Sequence, residues 1–198
     1  TLEVPEADNL LAGRAAIAVD IARDTEGTAL RRLTVTAGTL GLSAQGRIGA
    51  ADADLTARLR LSDLGQLGAG YAGALGLELE LTQRAGDWQA GLAGELADLR
   101  IGERPGAAQV AALFAGRTRL DGRIGLREGV VRIEDLALVG PQVAVGVSGV
   151  VSEAAQTLAL RLERLALGAV AAGVQGRLGG RADLVGSVGA RRLTAALA

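Results

Sequence analysis

The chain repeats itself. Sliding the sequence by 103 places lays residues 10–81 over residues 113–184 without a gap, and 19 of the 72 paired positions are identical. A composition so rich in Ala, Leu, Gly and Arg gives about one chance match in eight, or roughly nine, so the excess points to a duplicated structural unit. Leu10-Leu11-Ala12-Gly13-Arg14 falls on Leu113-Phe114-Ala115-Gly116-Arg117. Leu55, Arg58, Leu59, Leu64, Gly65, Ala69, Gly70, Gly73 and Leu75 recur as Leu158, Arg161, Leu162, Leu167, Gly168, Ala172, Gly173, Gly176 and Leu178. The units are read as residues 1–104 and 105–198 of one continuous sheet. In such an array each unit touches only its neighbours, which builds a long surface or channel more readily than a single catalytic pocket.

Within each unit the hydrophobic period is two, the signature of strands wetted on one side. Leu40, Leu42, Ala44, Gly46 and Ile48 share one face, and Thr39, Gly41, Ser43, Gln45 and Arg47 share the other. Leu55, Ala57, Leu59 and Leu61 alternate with Asp54, Thr56, Arg58 and Arg60, and Leu75, Leu77, Leu79 and Leu81 alternate with Glu78 and Glu80. In the second unit Val143, Val145, Val147, Gly149 and Val151 repeat the pattern, and Leu158, Leu160 and Leu162 follow against Arg161 and Glu163. Leu92, Leu96, Leu120, Ile124, Leu126, Val131 and Ile133 complete the apolar set. Turn residues punctuate these runs at Ala85-Gly86-Asp87, Arg127-Glu128-Gly129 and Gly140-Pro141, so the expected fold is an all-β antiparallel meander.

Two kinds of stretch break the period. Residues 106–114, after Pro105, place Val110, Leu113 and Phe114 at helical spacing, with residues 5–11 as a shorter counterpart. Residues 62–70 and 165–173 read as a turn or one-turn helix at a sheet edge, with Ser62 or Asp63 as cap. Of the 30 glycines, Gly46, Gly94, Gly122 and Gly149 fall on the apolar face. There they permit sharp bending and close packing, which predicts a strongly curved sheet.

Composition excludes more than it identifies. The chain has no His, Cys or Lys, so the usual nucleophile–base pairs, a P-loop and a thiolate metal site cannot be assembled. With 21 basic against 22 acidic residues it lacks the basic face that a nucleic-acid groove needs. Asp52 with Asp54, and Glu78 with Glu80, are the remaining acid–base or cation-binding candidates; their alternation with Leu or Ala reads as a solvated outer face. Neither an enzyme nor a bound cofactor is expected. The chain begins at Thr1 and contains no Met, and is read as a segment of a longer protein. Hydrophobic residues make up 49% but aromatic residues 2%. The apolar face is therefore smooth and aliphatic, suited either to a closed sandwich or barrel core or to an open groove along which acyl chains slide.

These residues resemble the TamB family of AsmA-like, bridge-like lipid-transfer proteins over the whole length. The resemblance rests on the Leu-Leu-x-Gly element (residues 10–13, and 113–116) and on the hairpin of residues 125–138. It continues through Val147-Ser148-Gly149, the Leu-rich strand 158–162, and the passage from Leu61-Ser62-Asp63-Leu64 to Gly73-x-Leu75. It is the order of these short elements, occurring twice, that carries the likeness. The resemblance implies an elongated, taco-like β-sheet in the periplasm of a Gram-negative cell, with phospholipid moving along its apolar interior between inner and outer membrane. It further implies a partner barrel of the Omp85 type (TamA-like) and an inner-membrane anchor, both engaged through regions other than these residues. About a dozen strands at roughly 4.8 Å spacing would cover around 55 Å of that path. Rival expectations are a scaffold that assembles outer-membrane proteins by β-augmentation and a closed β-solenoid with a dry interior.

Overall fold

The computed structural model describes residues 14–68, 70–102, 107–152, 154–171, 173–187 and 190–197. It is all-β: twelve antiparallel strands form one open, curved sheet in strict sequence order. The first unit supplies β1 (Ala15–Asp24), β2 (Gly27–Ala37), β3 (Leu40–Ile48), β4 (Asp52–Leu61), β5 (Tyr71–Arg84) and β6 (Asp87–Ile101). The second supplies β7 (Arg117–Arg127), β8 (Val130–Val139), β9 (Val143–Val151), β10 (Gln156–Ala166), β11 (Arg177–Ser187) and β12 (Ala190–Leu197). A 3-10 turn, Leu64–Leu67, joins β4 to β5; helix α1 (Ala107–Leu113) precedes β7 and helix α2 (Leu167–Val170) follows β10. The three predicted turns each separate two strands. The helix expected over residues 5–11 lies outside the described residues, as do Pro105 and Gly106.

A shift of 103 residues carries β3 onto β9 and the 3-10 turn onto α2 end for end. The repeat also extends to irregularities. The register of β1 with β2 slips between Asp20 and Ile21, and that of β7 with β8 slips between Arg123 and Ile124. β2 with β3 slips between Leu30 and Leu33, and β8 with β9 between Ile133 and Leu136. Gly46 and Gly149 adopt φ of +151° and +146°, and a Cβ there would come within 2.1 Å of the Asp54 carbonyl oxygen and 2.0 Å of the Thr157 carbonyl oxygen. Glycine is required at both, because no side chain tolerates either the dihedral or the approach. Bulges and glycines of this kind bend strands and sharpen twist, and here they recur at the same place in both units.

The meander gives the sheet two unlike rims. One carries tight turns, such as Ala85-Gly86 and Glu128-Gly129. The other carries the 3-10 turn, α1 and α2, with α1 packed on β6 and reaching α2. Among the described residues the buried ones are Ala37, Ala53, Leu61, Leu64, Ala107, Thr118, Gly140, Val143 and Ala144. All but Ala53 lie in or beside the connections of the second rim. No core runs through the middle of the sheet. A compact protein of 19.9 kDa exposes about 8,700 Å²; this chain exposes 13002 Å².

An open apolar face as the candidate functional site

Residues directly opposite in antiparallel strands point to the same face, so the registers trace rows of side chains across the sheet. One row runs Ile17, Val35, Leu42, Leu59, Leu77, Gly94, Leu120, Leu138, Val145, Leu162, Gly180, Leu197, one residue from each of the twelve strands. Two residues further along each strand, a second row runs Val19, Leu33, Ala44, Ala57, Leu79, Leu92, Gly122, Leu136, Val147, Leu160, Ala182, Ala195. A third runs Ile21, Leu30, Gly46, Leu55, Leu81, Ala90, Ile124, Ile133, Gly149, Leu158, Leu184, Leu193. No polar side chain interrupts any of the three. Polar residues enter this face only toward the rims, as Gln83, Gln156 and Thr118 do, and Trp88 sits beside Gln83 at the tight-turn rim.

All of the apolar residues singled out by alternation, from Leu40 to Leu162, occupy this face. Most are half-buried. Leu160 stays 41% exposed, Leu126 42% and Ile48 46%, while at the two ends of the rows Ile17 reaches 66% and Leu197 69%. Gly94 and Gly122 face the same way, tucked under Leu77 and Leu136.

Alternation missed Leu30, Leu33, Leu136 and Leu165, which belong to three pairs of this face that stand three residues apart: Leu30 with Leu33, Ile133 with Leu136, and Leu162 with Leu165. Each pair encloses two charged residues (Arg31-Arg32, Glu134-Asp135, Glu163-Arg164), and each spans a register slip. The pattern apolar–charged–charged–apolar is the available signal. Two charged side chains share one position of the outer face, and the next apolar residue returns to its row.

The opposite face holds the charge. Arg58 stands opposite Glu78 and pairs with it at 2.9 Å, both well exposed. Arg117 with Glu95 at 3.6 Å and Arg127 with Asp87 at 3.4 Å bridge β7 and β6 in the same way. Exposed pairs of this kind contribute at most about 1 kcal/mol each. The Asp52–Asp54 and Glu78–Glu80 pairs lie here, with Asp54 reaching Arg84 at 4.0 Å. Among the described residues no cluster of acidic side chains is arranged to hold a metal ion. The same face has shallow depressions, one of about 410 Å³ between Arg32, Gln45, Arg58 and Glu80. They are dips between solvated side chains, and the continuous feature of the molecule is the apolar face behind them.

One carboxylate is tuned. In the β1–β2 turn the Glu26 N–H donates to Asp24 at 2.9 Å, and the Arg47 guanidinium pairs with the same carboxylate. Together they hold the Asp24 carboxyl below its ordinary range. This is a turn fastener, remote from the apolar rows.

Compared with protein-family models, with curated proteins and with solved structures, the chain matches none.

Proposed function

We propose that this chain is a stretch of a TamB-like bridge, a non-enzymatic conduit whose apolar face carries phospholipid acyl chains across the periplasm between inner and outer membrane. Attachment to the inner membrane, and contact with an Omp85-type barrel, belong to regions other than these residues. The supporting observation is that three unbroken aliphatic rows cross all twelve strands and remain half-exposed. The rows span about 14 Å across and about 50 Å along the sheet. Apolar surface left in water costs about 25 cal/mol per Å², so an apolar occupant is favoured along the whole length. Nothing in the rows can hydrogen-bond, so no position holds that occupant more tightly than the next. An acyl chain meets both conditions.

The test is lipid extraction from the purified chain, repeated with Leu59→Glu, Val145→Glu and, on the outer face, Arg58→Glu. Leu59 and Val145 share one row, five strands apart. Acyl lipids should accompany the original chain and Arg58→Glu, and fall sharply in both row variants while strand content by circular dichroism persists. In cells making the full-length protein, the row variants should lose outer-membrane integrity at normal protein abundance. Normal lipid content and normal function in Leu59→Glu would reject the conduit. Unfolding of both row variants would mean that the face is a closed core, since a buried unpaired charge is strongly destabilising.

The two sheet edges favour a second reading, a scaffold on which nascent outer-membrane strands pair by β-augmentation. Crosslinks to nascent barrel protein, with none to lipid, would select it.

A further inference from the structure

The apolar face ends differently at its two rims. Beyond the three rows, toward the helical rim, the registers set Leu40, Leu61, Leu75 and Leu96 side by side, and Val143 with Leu165 continues the line in the second unit. Leu61 and Val143 are buried there, and Thr118, the single polar member of this line among the described residues, is 1% exposed. The 3-10 turn packs on β5 and α1 on β6, which closes this end of the face. Toward the tight turns the next line holds Arg23, Thr28, Gln83, Trp88 and Gln156, with Ile48 and Leu126 exposed between them. Each of the five polar side chains can donate a hydrogen bond, and none is a carboxylate. Among the described residues, the side chains of Thr28, Gln83, Trp88 and Gln156 make no hydrogen bond within the protein. The arginines of the adjoining turns and strand ends, Arg47, Arg84 and Arg127, are each paired with a carboxylate.

We propose that this line of free donors is a headgroup track, on which phospholipids lie along the strands with ester and phosphate oxygens at the tight-turn rim and acyl ends toward the helical rim. The inference rests on the conduit reading of the apolar face and adds an orientation to it. Ester and phosphate oxygens only accept hydrogen bonds, so they complement a line that holds donors and no carboxylate. At the helical rim a phosphate would lose its water among Leu61, Val143 and Thr118 and gain no cation in exchange. Trp88 suits the boundary, since its ring is apolar and its indole N–H seeks an acceptor, the combination that places Trp at membrane–water interfaces. Trp88 and Leu96 lie on one strand and one face, about 26 Å apart. Half of a bilayer with its headgroup layer is about 20–22 Å thick. The span therefore takes one phospholipid and not two end to end, and the single polar rim decides which way it points.

Trp88 reports from one end of that span, and the W88F/L96W variant moves the reporter to the other. Each purified 198-residue chain would be loaded from phosphatidylcholine vesicles that carry a nitroxide either on the choline or near the acyl terminus. After separation by flotation, quenching would be divided by the lipid phosphorus that the chain retains. The choline nitroxide should quench Trp88 at least about threefold more than the chain-end nitroxide, because about 15 Å of acyl chain separates the labels. The order should reverse in W88F/L96W. In Q83L/Q156L, which keeps Trp88 and the three rows, the preference at Trp88 should shrink while strand content by circular dichroism persists. An undiminished preference there would remove these donors from the headgroup role. Retained lipid that quenches Trp88 equally from both labels, or more from the chain end, would overturn the orientation and leave the conduit standing. Absence of retained phosphorus would overturn both.

Discussion

The two units solve the same problem differently where the third long strand pair meets its helical connection. In the first, β4 runs without irregularity to Leu61, which stands opposite Leu40 and Leu75 on the apolar face and is 4% exposed. The aligned residue in the second is Arg164. Without adjustment, its guanidinium would point into the apolar rows. The strand instead bulges between Leu162 and Leu165: Arg164 moves opposite Ala144 on the outer face, and Leu165 takes the place opposite Val143 and Leu178 that Leu61 holds in the first unit. The extra residue comes out of the connection. Two residues, Ser62 and Asp63, separate Leu61 from the 3-10 turn, whereas Ala166 alone separates Leu165 from α2. The first turn is capped by Asp63, whose carboxylate accepts from the Gly65 N–H at 2.8 Å; α2 has no side-chain cap. Arg164 donates to the Gly140 carbonyl at 2.5 Å, yet its Nε is buried without a partner. The apolar row is what both units preserve, at the expense of local hydrogen bonding in the second.

Single-residue deletions should separate the two solutions most widely. Removing Arg60 turns Leu61 to the outer face and Ser62 to the apolar one, and should cost about 3 kcal/mol or more in urea unfolding. Removing Glu163 takes out the bulge and leaves Leu165 on its row, so its cost should stay below about 1 kcal/mol. Equal costs would mean that the bulge does not set the facing of β10. Truncation should show the same order on a smaller scale: Leu61→Ala should cost about 3 kcal/mol, and Leu165→Ala, half-buried, about half as much. Next, Asp63→Ala removes a cap and should cost about 1 kcal/mol, whereas Ala166→Asp should recover part of that amount in the second unit. A neutral Asp63→Ala would show that the turn is held by its flanking strands alone.

The smallest effect is in acid. Asp24 sits where the second unit has Arg127, and its carboxyl titrates below its ordinary value near 3.8. A carboxylate depressed in the folded state stabilises above its unfolded pKa and loses that contribution as pH falls through the folded one. Melting temperature should therefore drop slightly more below pH 4 for the original chain than for Asp24→Asn, with the two curves parallel above pH 5. Parallel curves throughout would remove Asp24 from the acid limb.

The sheet and its facing were legible in the alternation of residues 40–48, 55–61, 75–81, 143–151 and 158–162, because a period of two fixes every side chain in an unbroken strand. Legibility ended at the bulges. Leu30-Arg31-Arg32-Leu33 and Leu162-Glu163-Arg164-Leu165 have a period of neither two nor 3.6, and the sense of the slip emerges only from pairing with neighbouring strands. Gapless repeat alignment placed Arg164 on Leu61 and so pointed to the wrong residue for the row. Whether the apolar face fills a core or stays open was also invisible in composition, because that depends on whether β1 meets β12, a contact between residues about 170 positions apart.

Trp88 offers the most direct test of an open, lipid-bearing face. It is the single Trp of the chain and lies on the apolar side, opposite Gln83 and Leu126. The purified chain would be incubated with vesicles of phospholipid brominated on its acyl chains, separated from them by flotation, and its fluorescence compared with a sample exposed to unbrominated lipid. A conduit predicts Trp88 quenching that saturates with lipid, survives removal of the vesicles and is lost in Leu59→Glu. Undiminished fluorescence at saturating brominated lipid would contradict it.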